Sequence, residues 1–248
     1  MIAVDVGNTF IKTAYFNAGE IAGINYVPTQ TCIDEGGFFR LLPETYSDAG
    51  EAVAIVSVRK AALDIIARET FTKFGAGPFI VDADTDTGIR NLYLSKDTLG
   101  LDRLVTAAAA WKLYSEKNRP VIVVDMGTAT TVDLVSKEGE FIGGLIVPGI
   151  KSALAGLLIA APELPDVKIE RIQTLIGRTT YECMSSGAMA AHAGMIRGVC
   201  EMIDPGAVVL ITGGMAEAVL NWLPGRFIFD ENLLMKGLKI IYDRNHNP

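Results

Sequence analysis

The sequence predicts an α/β fold made of two related halves with a cleft between two lobes. Three observations carry this. Strand-like and helix-like segments alternate along 248 residues, the mixture from which layered α/β domains are built. The chain is 50% hydrophobic and 21% charged, a globular composition with enough length for two cores. A segment near the start, VDVGNTFIKTAYFNAGEIAG from Val4, returns 120 positions later as VDMGTATTVDLVSKEGEFIG from Val124. Val4, Asp5, Gly7, Gly19, Glu20 and Gly23 align without a gap on Val124, Asp125, Gly127, Gly139, Glu140 and Gly143. Reuse of the turn-forming and acidic positions points to a duplicated architecture. Two domains are expected, residues 1–117 and 118–248.

Taken in order, residues 2–6 form an apolar strand carrying Asp5 near its end, and Gly7-Asn8-Thr9 turns the chain. Residues 10–16 return as a second strand, closed by a turn at Asn17-Ala18-Gly19. Residues 52–58 read as a strand, 59–71 as an amphipathic helix and 79–81 as a short strand. Residues 99–114, with periodic Ala and Leu, predict a helix. The second copy runs as a strand over 121–124, Asp125, a turn at Gly127-Thr128, a strand over 130–135 and a turn at Lys137-Glu138-Gly139. Pro148-Gly149 precedes a helix over 150–158, and 181–202 predicts a long helix. Residues 207–212 form a strand that runs into Gly213-Gly214 and a helix from Met215. The methionines fall on the apolar stripes and are read as packing.

Charge and cysteine content narrow the function classes. Twenty-two basic against 29 acidic residues give a net charge of −7, which opposes sequence-independent binding to nucleic acid or anionic lipid. Neither nucleic acid nor membrane is expected as a partner. Cys32, Cys183 and Cys200 form no CxxC pair and suit a reducing compartment. The opening MIAVDVGN reads as a strand rather than a leader, and the longest apolar stretch, residues 153–161, is too short for a bilayer. A cytoplasmic location is expected. His192 and His246 are assigned no role.

Chemistry concentrates in three places. Asp5 at a strand end, followed by Gly7, Asn8, Thr9 and Lys12, surrounds a small anion with backbone N–H groups and hydroxyls. The carboxylate cannot bind phosphate itself, but it can hold Mg²⁺ through water while Lys12 adds a point charge. A plain β-turn with an Asx cap explains the same residues. Asp125 with Gly127, Thr128, Thr130 and Thr131 repeats the pattern, and two such loops facing each other would clamp a triphosphate. Gly213-Gly214 after a strand suits close approach to a nucleotide at a helix start, or a simple capping turn. No GxxxxGK[ST] or GxGxxG occurs, so a P-loop kinase is excluded and the simplest dinucleotide reading is removed. In LGLDRL, Asp102 and Arg103 open the Ala-rich helix. Asp102 can be helix-dipole stabilisation alone, or a base that accepts a hydroxyl proton beside an Arg that holds an anionic substrate.

DVGNTFIK, GLDR, DMGTATT, Pro148-Gly149, GRTT at 177–180 and TGG at 212–214 occur in the order seen in type III pantothenate kinases, which this chain resembles over nearly its whole length. That family belongs with sugar kinases, actin and Hsp70-type chaperones. The resemblance implies two duplicated ribonuclease H-like (actin-like ATPase) domains with an interlobe cleft. It implies that ATP phosphorylates pantothenate in the first step towards coenzyme A. Asp5, Val6, Gly7, Asn8, Thr9, Phe10, Ile11 and Lys12 would hold ATP phosphates, with Asp5 towards Mg²⁺, and Thr128, Gly213 and Gly214 would contact ATP. Asp102 would be the general base. Tyr93, Gly100, Leu101, Asp102, Arg103 and Thr180 would line the pantothenate site, Thr180 across a homodimer interface. Asp125 would bind an activating K⁺ or NH₄⁺.

Three departures touch loop shape. The family's Asn-Pro-Tyr run is Asn91-Leu92-Tyr93 here, Thr179 stands where Asn is common, and SVRK at 57–60 replaces a Ser-Val-Val-Pro-like run. Two other functions fit the same motifs: a kinase of this superfamily for another small hydroxylated acid or sugar, and a nucleotide-binding regulator without catalysis, since relatives have been described as accessory transcription factors.

Overall fold

The computed structural model describes residues 1–46, 52–116, 119–169, 174–223 and 225–246. It divides into two compact units, Met1–Ala109 with Asn232–Pro248, and Ala110–Glu231. The domain boundary expected between 117 and 118 falls on residues outside those described.

In the first unit, β1 (Ile2–Val6), β2 (Phe10–Asn17) and β3 (Glu20–Pro28) form an antiparallel meander. The chain continues through α1 (Thr29–Glu35), β4 (Val53–Ser57), α2 (Lys60–Phe74), β5 (Phe79–Ile80), a two-residue β6 (Arg90–Asn91) and α3 (Leu101–Tyr114). β4 lies parallel to β1, and β5 parallel to β4, giving the sheet order β3-β2-β1-β4-β5. Alternation along β1 decides which side chains go where. Ile2, Val4 and Val6 join Ile55, Ala62 and Ile66 in a core on the α1 and α2 face. Ala3 points to the opposite face, where Val105 and Ala108 of α3 pack. Asp5 shares the face of Ala3 by the same period.

In the second unit, β7 (Val121–Met126), β8 (Ala129–Val135) and β9 (Glu140–Pro148) repeat the meander. Then follow α4 (Ile150–Ala160), α5 (Thr180–Ile203), β10 (Val208–Thr212), α6 (Ala216–Leu220) and β11 (Phe227–Phe229). β10 runs parallel to β7 and β11 parallel to β10, so within this unit the order is β11-β10-β7-β8-β9. Each strand has its counterpart in the first unit. Ile122, Val124 and Met126 enter the core of α4, α5 and α6, as Ile2, Val4 and Val6 do in theirs. The methionines of α5 at 184 and 189 pack in that core, as their place on the apolar stripe predicts.

The gapless sequence match conceals a slip. The β1–β2 ladder closes at Val6–Ile11 around a four-residue loop, whereas β7–β8 closes at Met126–Thr130 around three residues. The following turn restores the count. Asn17 pairs with Glu20 around Ala18-Gly19, while the Ser136 N–H bonds the Glu140 carbonyl (2.8 Å) across three residues. Residues of β2 and β8 therefore correspond at a shift of 119, and the pairing irregularities opposite Ala22 and Ile142 return to 120.

The last helix, α7 (Leu233–His246), joins the first unit rather than the half it follows in sequence. Met235, Leu238 and Ile241 are buried with Ala3, Ala14 and Val56 on the face that α3 also covers. At Gly237 the two helices touch, and a Cβ there would stand 2.6 Å from the Val105 carbonyl oxygen and 3.1 Å from the Ala109 Cβ. Long-range apolar burial, not chain order, sets this boundary.

Two substitutions test these packing statements by urea unfolding. Gly237→Ala is expected to lower stability by roughly 1–3 kcal/mol through overpacking. Ala18 has φ 49° in a turn that needs two left-handed residues. Ala18→Gly is expected to raise stability by about 0.5–1 kcal/mol, the steric relief exceeding the added chain entropy.

Candidate active site

The loop after β1 is built by the strand that feeds it and the helix that follows the meander. Val6 and Ile11 are fully buried, so they can meet a ligand only through backbone, while Asn8, Thr9 and Phe10 are exposed. The Gly7 N–H closes the loop on the Phe10 carbonyl (3.1 Å). At the head of α1, Thr29 donates its hydroxyl to the Gly7 carbonyl (2.9 Å) and its N–H to the Thr9 carbonyl (3.0 Å). Asp5 sits opposite Lys12 in the ladder, and Lys12 opposite Tyr26, whose ring centre lies 5.6 Å from the Lys12 ammonium. Carboxylate, ammonium and loop amides thus share one end of the sheet.

The first turn of α3 holds a second group in the same unit. Asp102 Oδ1 accepts from the Arg103 N–H (2.9 Å) and folds over Gly100, where any Cβ would collide with that oxygen. Burial raises the Asp102 carboxyl above the usual carboxylate range, and the Arg103 N–H and guanidinium offset only part of this. Arg103 is itself buried and stacks 5.7 Å from the Tyr93 ring centre. The Tyr93 N–H bonds Asn91 Oδ1 (2.9 Å). This Asx turn fixes the 91–93 loop where a proline would otherwise preset it. Asp102, Arg103, Gly100 and Tyr93 are therefore assembled, with a carboxyl that ionises reluctantly beside a buried cation.

The second unit treats its loop in the same way. The Met215 N–H holds the Met126 carbonyl (3.0 Å), and the Gly149 N–H and Ser152 hydroxyl both hold the Thr128 carbonyl (3.0 and 2.7 Å). A side chain at 149 would strike the Gly127 carbonyl. Gly213 has φ 94°, and a Cβ there would lie 2.5 Å from Asp125 Oδ1. Asp125, Thr128 and Gly213 are thus brought together, with Gly214 next in the chain. His192 of α5 places Nε2 3.1 Å from the Pro148 carbonyl oxygen, behind Gly149.

Thr180 begins α5 and lines a groove of about 440 Å³ with Leu154, Leu157, Cys183 and Met184. Thr179 caps this helix, accepting from the Glu182 N–H (3.2 Å) while Glu182 Oε2 accepts from the Arg178 N–H (2.7 Å). Threonine and asparagine are both good caps, so the departure at 179 keeps the helix start. Among the described residues no group of three or more His, Cys, Asp or Glu could hold a metal ion. A divalent ion near Asp5 would be held by that one protein carboxylate through water, which fits an ion such as Mg²⁺ that keeps several waters and binds mainly to phosphate oxygens.

Thr29, Ser152, His192 and Met215 support the loops, and motif reading misses all four. One signal points to the first: Val27-Pro28 recurs as Val147-Pro148 at the same 120-residue shift, placing Thr29 opposite Gly149.

Comparisons with known proteins bear on the family and the fold. A model of the type III pantothenate kinase family matches residues 1–202. A type III pantothenate kinase of Myxococcus xanthus is 32% identical over 256 residues, covering 99% of each chain. One of Rhodospirillum rubrum is 34% identical, covering 99% of this chain and 98% of its own. In fold, the chain is similar to a Campylobacter jejuni protein described as a Baf family transcriptional activator, with TM-score 0.63, 18% identity and full coverage of both. It is also similar to the 2-hydroxyisocaproyl-CoA dehydratase activator of Clostridium difficile, solved with ADPNP bound, with TM-score 0.58, 10% identity, 99% of this chain and 96% of that one. The α/β architecture of two sheets is shared with both of these structures. With the family model spanning most of its length and relatives matching end to end, this chain belongs to the type III pantothenate kinase family.

Proposed function

We propose that this protein transfers the γ-phosphoryl group of ATP to the hydroxyl of pantothenate, giving 4'-phosphopantothenate and ADP. The observation that carries the reading is Asp102, a carboxyl raised by burial at a helix start and set beside the buried Arg103. The hydroxyl oxygen bonds to the γ-phosphorus, the bond to the β,γ-bridging oxygen breaks, and the hydroxyl proton passes to the Asp102 carboxylate. A base whose pKa is raised towards working pH is better matched to that transfer than an ordinary carboxylate. Arg103 binds the pantothenate carboxylate, and its stacking on Tyr93 holds the guanidinium in one plane. Gly100 and Leu101 complete the wall, and Thr180, at the head of α5, contributes across a homodimer interface as in the family it resembles.

Phosphoryl transfer needs mainly positioning and charge neutralisation. Residues 5–12 present backbone amides and Lys12 to the ATP phosphates, with Val6 and Ile11 serving by main chain alone. Asp5 holds water on Mg²⁺, which when bound neutralises phosphate oxygens. Asp125 takes the K⁺ or NH₄⁺, and Thr128, Gly213 and Gly214 contact ATP. A homodimer is supported by the exposed apolar side chains Leu157, Ile159, Leu175 and Ile176 near the Thr180 groove. No helix among the described residues is long and apolar enough to cross a membrane. The reading places the reaction in the cytoplasm, with neither membrane nor nucleic acid as partner.

A coupled ADP-release assay with ATP, Mg²⁺, K⁺ and a panel of acceptors tests this, and pantothenate should be turned over far better than sugars. Asp102→Asn is expected to lower kcat by about 10²–10⁴-fold. The kcat profile should fall on the acid side at a pH above that of an ordinary carboxylate. Because the folded carboxyl is raised, the fold binds more protons than the unfolded chain between the unfolded and folded pKa values. Stability therefore drops as pH rises through that window, and Asp102→Asn should melt at or above the wild-type temperature at neutral pH. Turnover undiminished by Asp102→Asn would remove Asp102 from this role. Gly100→Ala should displace the Asp102 carboxylate and depress kcat more than tenfold, whereas a wild-type kcat would show that this placement is not needed.

A further inference from the structure

Thr29 stands outside every motif that names the site, yet it holds two carbonyls of the loop assigned to the ATP phosphates. It is 1% exposed and is the first residue of α1. Its hydroxyl and N–H engage Gly7 and Thr9 at 2.9 and 3.0 Å. Among the described residues no peptide bond is cis, so in this loop each C=O points away from the N–H of its own peptide. Drawing the Gly7 carbonyl towards Thr29 turns the Asn8 N–H the other way, and drawing the Thr9 carbonyl turns the Phe10 N–H likewise. The Asn8 and Phe10 N–H groups are thereby turned away from Thr29 within an exposed loop, a placement that backbone can use to bind an anion. The second unit anchors its loop from the head of its own helix, with Gly149 in the place of Thr29 and the Ser152 hydroxyl supplying the side-chain bond. A hydroxyl therefore acts at each anchor, carried by a different helix position.

We propose that Thr29 is a positioning residue for nucleotide binding: its paired hydrogen bonds to Gly7 and Thr9 orient the loop amides towards the phosphates without touching them. The inference rests on the reading of residues 5–12 as the phosphate loop. Preorganised donors need no reorientation when the anion arrives, so loss of the anchor should weaken ATP and leave the acceptor site intact.

The test uses the full chain with Thr29→Val, which keeps shape and removes the hydroxyl, and Thr29→Ser, which restores it. Calorimetric titration with ATP and Mg²⁺ should show Kd raised about three- to tenfold in Thr29→Val and within about twofold of wild type in Thr29→Ser. KM for pantothenate should be unchanged in both. A Thr29→Val protein that melts earlier yet binds ATP as tightly as wild type would reduce Thr29 to a structural residue and overturn the inference. Equal weakening in both variants would also overturn it, since the hydroxyl would then not be the cause. Wild-type protein that fails to bind ATP would remove the phosphate-loop reading and this inference with it.

Discussion

A carboxylate fixed at the end of a central strand, followed at once by a loop whose carbonyls are tied down, is the constraint on which both units depend. The strand is buried on both faces, so its alternation leaves no freedom in where the acid points. Ile2, Val4 and Val6 must face the α1 and α2 core, and Asp5 must face the other way. The same holds for Ile122, Val124 and Met126 against Asp125. A one-residue slip would turn the acid into the α1 and α2 core and drive Ile2, Val4 and Val6 onto the face where only Ala3 fits against α3 and α7, which is why the register is strongly specified. The acid, the turn and the return strand can then only be used together.

The two copies reach this arrangement with different parts, and the differences are informative. One loop has four residues and the other three, and the next turn absorbs the change so that the third strand keeps its place. What is kept is the placement of the acid and the anchoring of the carbonyls, rather than the loop's length. Asp102 belongs to a different device, in which burial at a helix start withholds solvation from a carboxyl while the neighbouring backbone N–H and guanidinium keep it ionisable.

Much of this was legible in the sequence, where local pattern and structure coincide. The first strand of each copy, the glycine turns and the Ala-rich helix that starts near Asp102 all carry short-range signals. The third strands escaped. Residues 20–28 are only partly buried, with no clean period of two, because one edge of the sheet meets solvent. The placement of α7 also escaped, since nothing local in LLMKGLKIIYDRNH states which unit its apolar stripe will enter. Thr29 lies 22 residues from Gly7, and only the recurrence of Val27-Pro28 at 147–148 hints that it belongs with the loop.

The most direct measurement is a crystal structure with a non-hydrolysable ATP analogue, Mg²⁺ and pantothenate bound together. The account requires the terminal phosphate to lie against the Asn8 and Phe10 amides. It also requires the Asp102 carboxylate to stand about 2.6–3.2 Å from the pantothenate hydroxyl, with Arg103 on the pantothenate carboxylate. A nucleotide seated away from residues 5–12, or a pantothenate hydroxyl out of reach of Asp102, would contradict it.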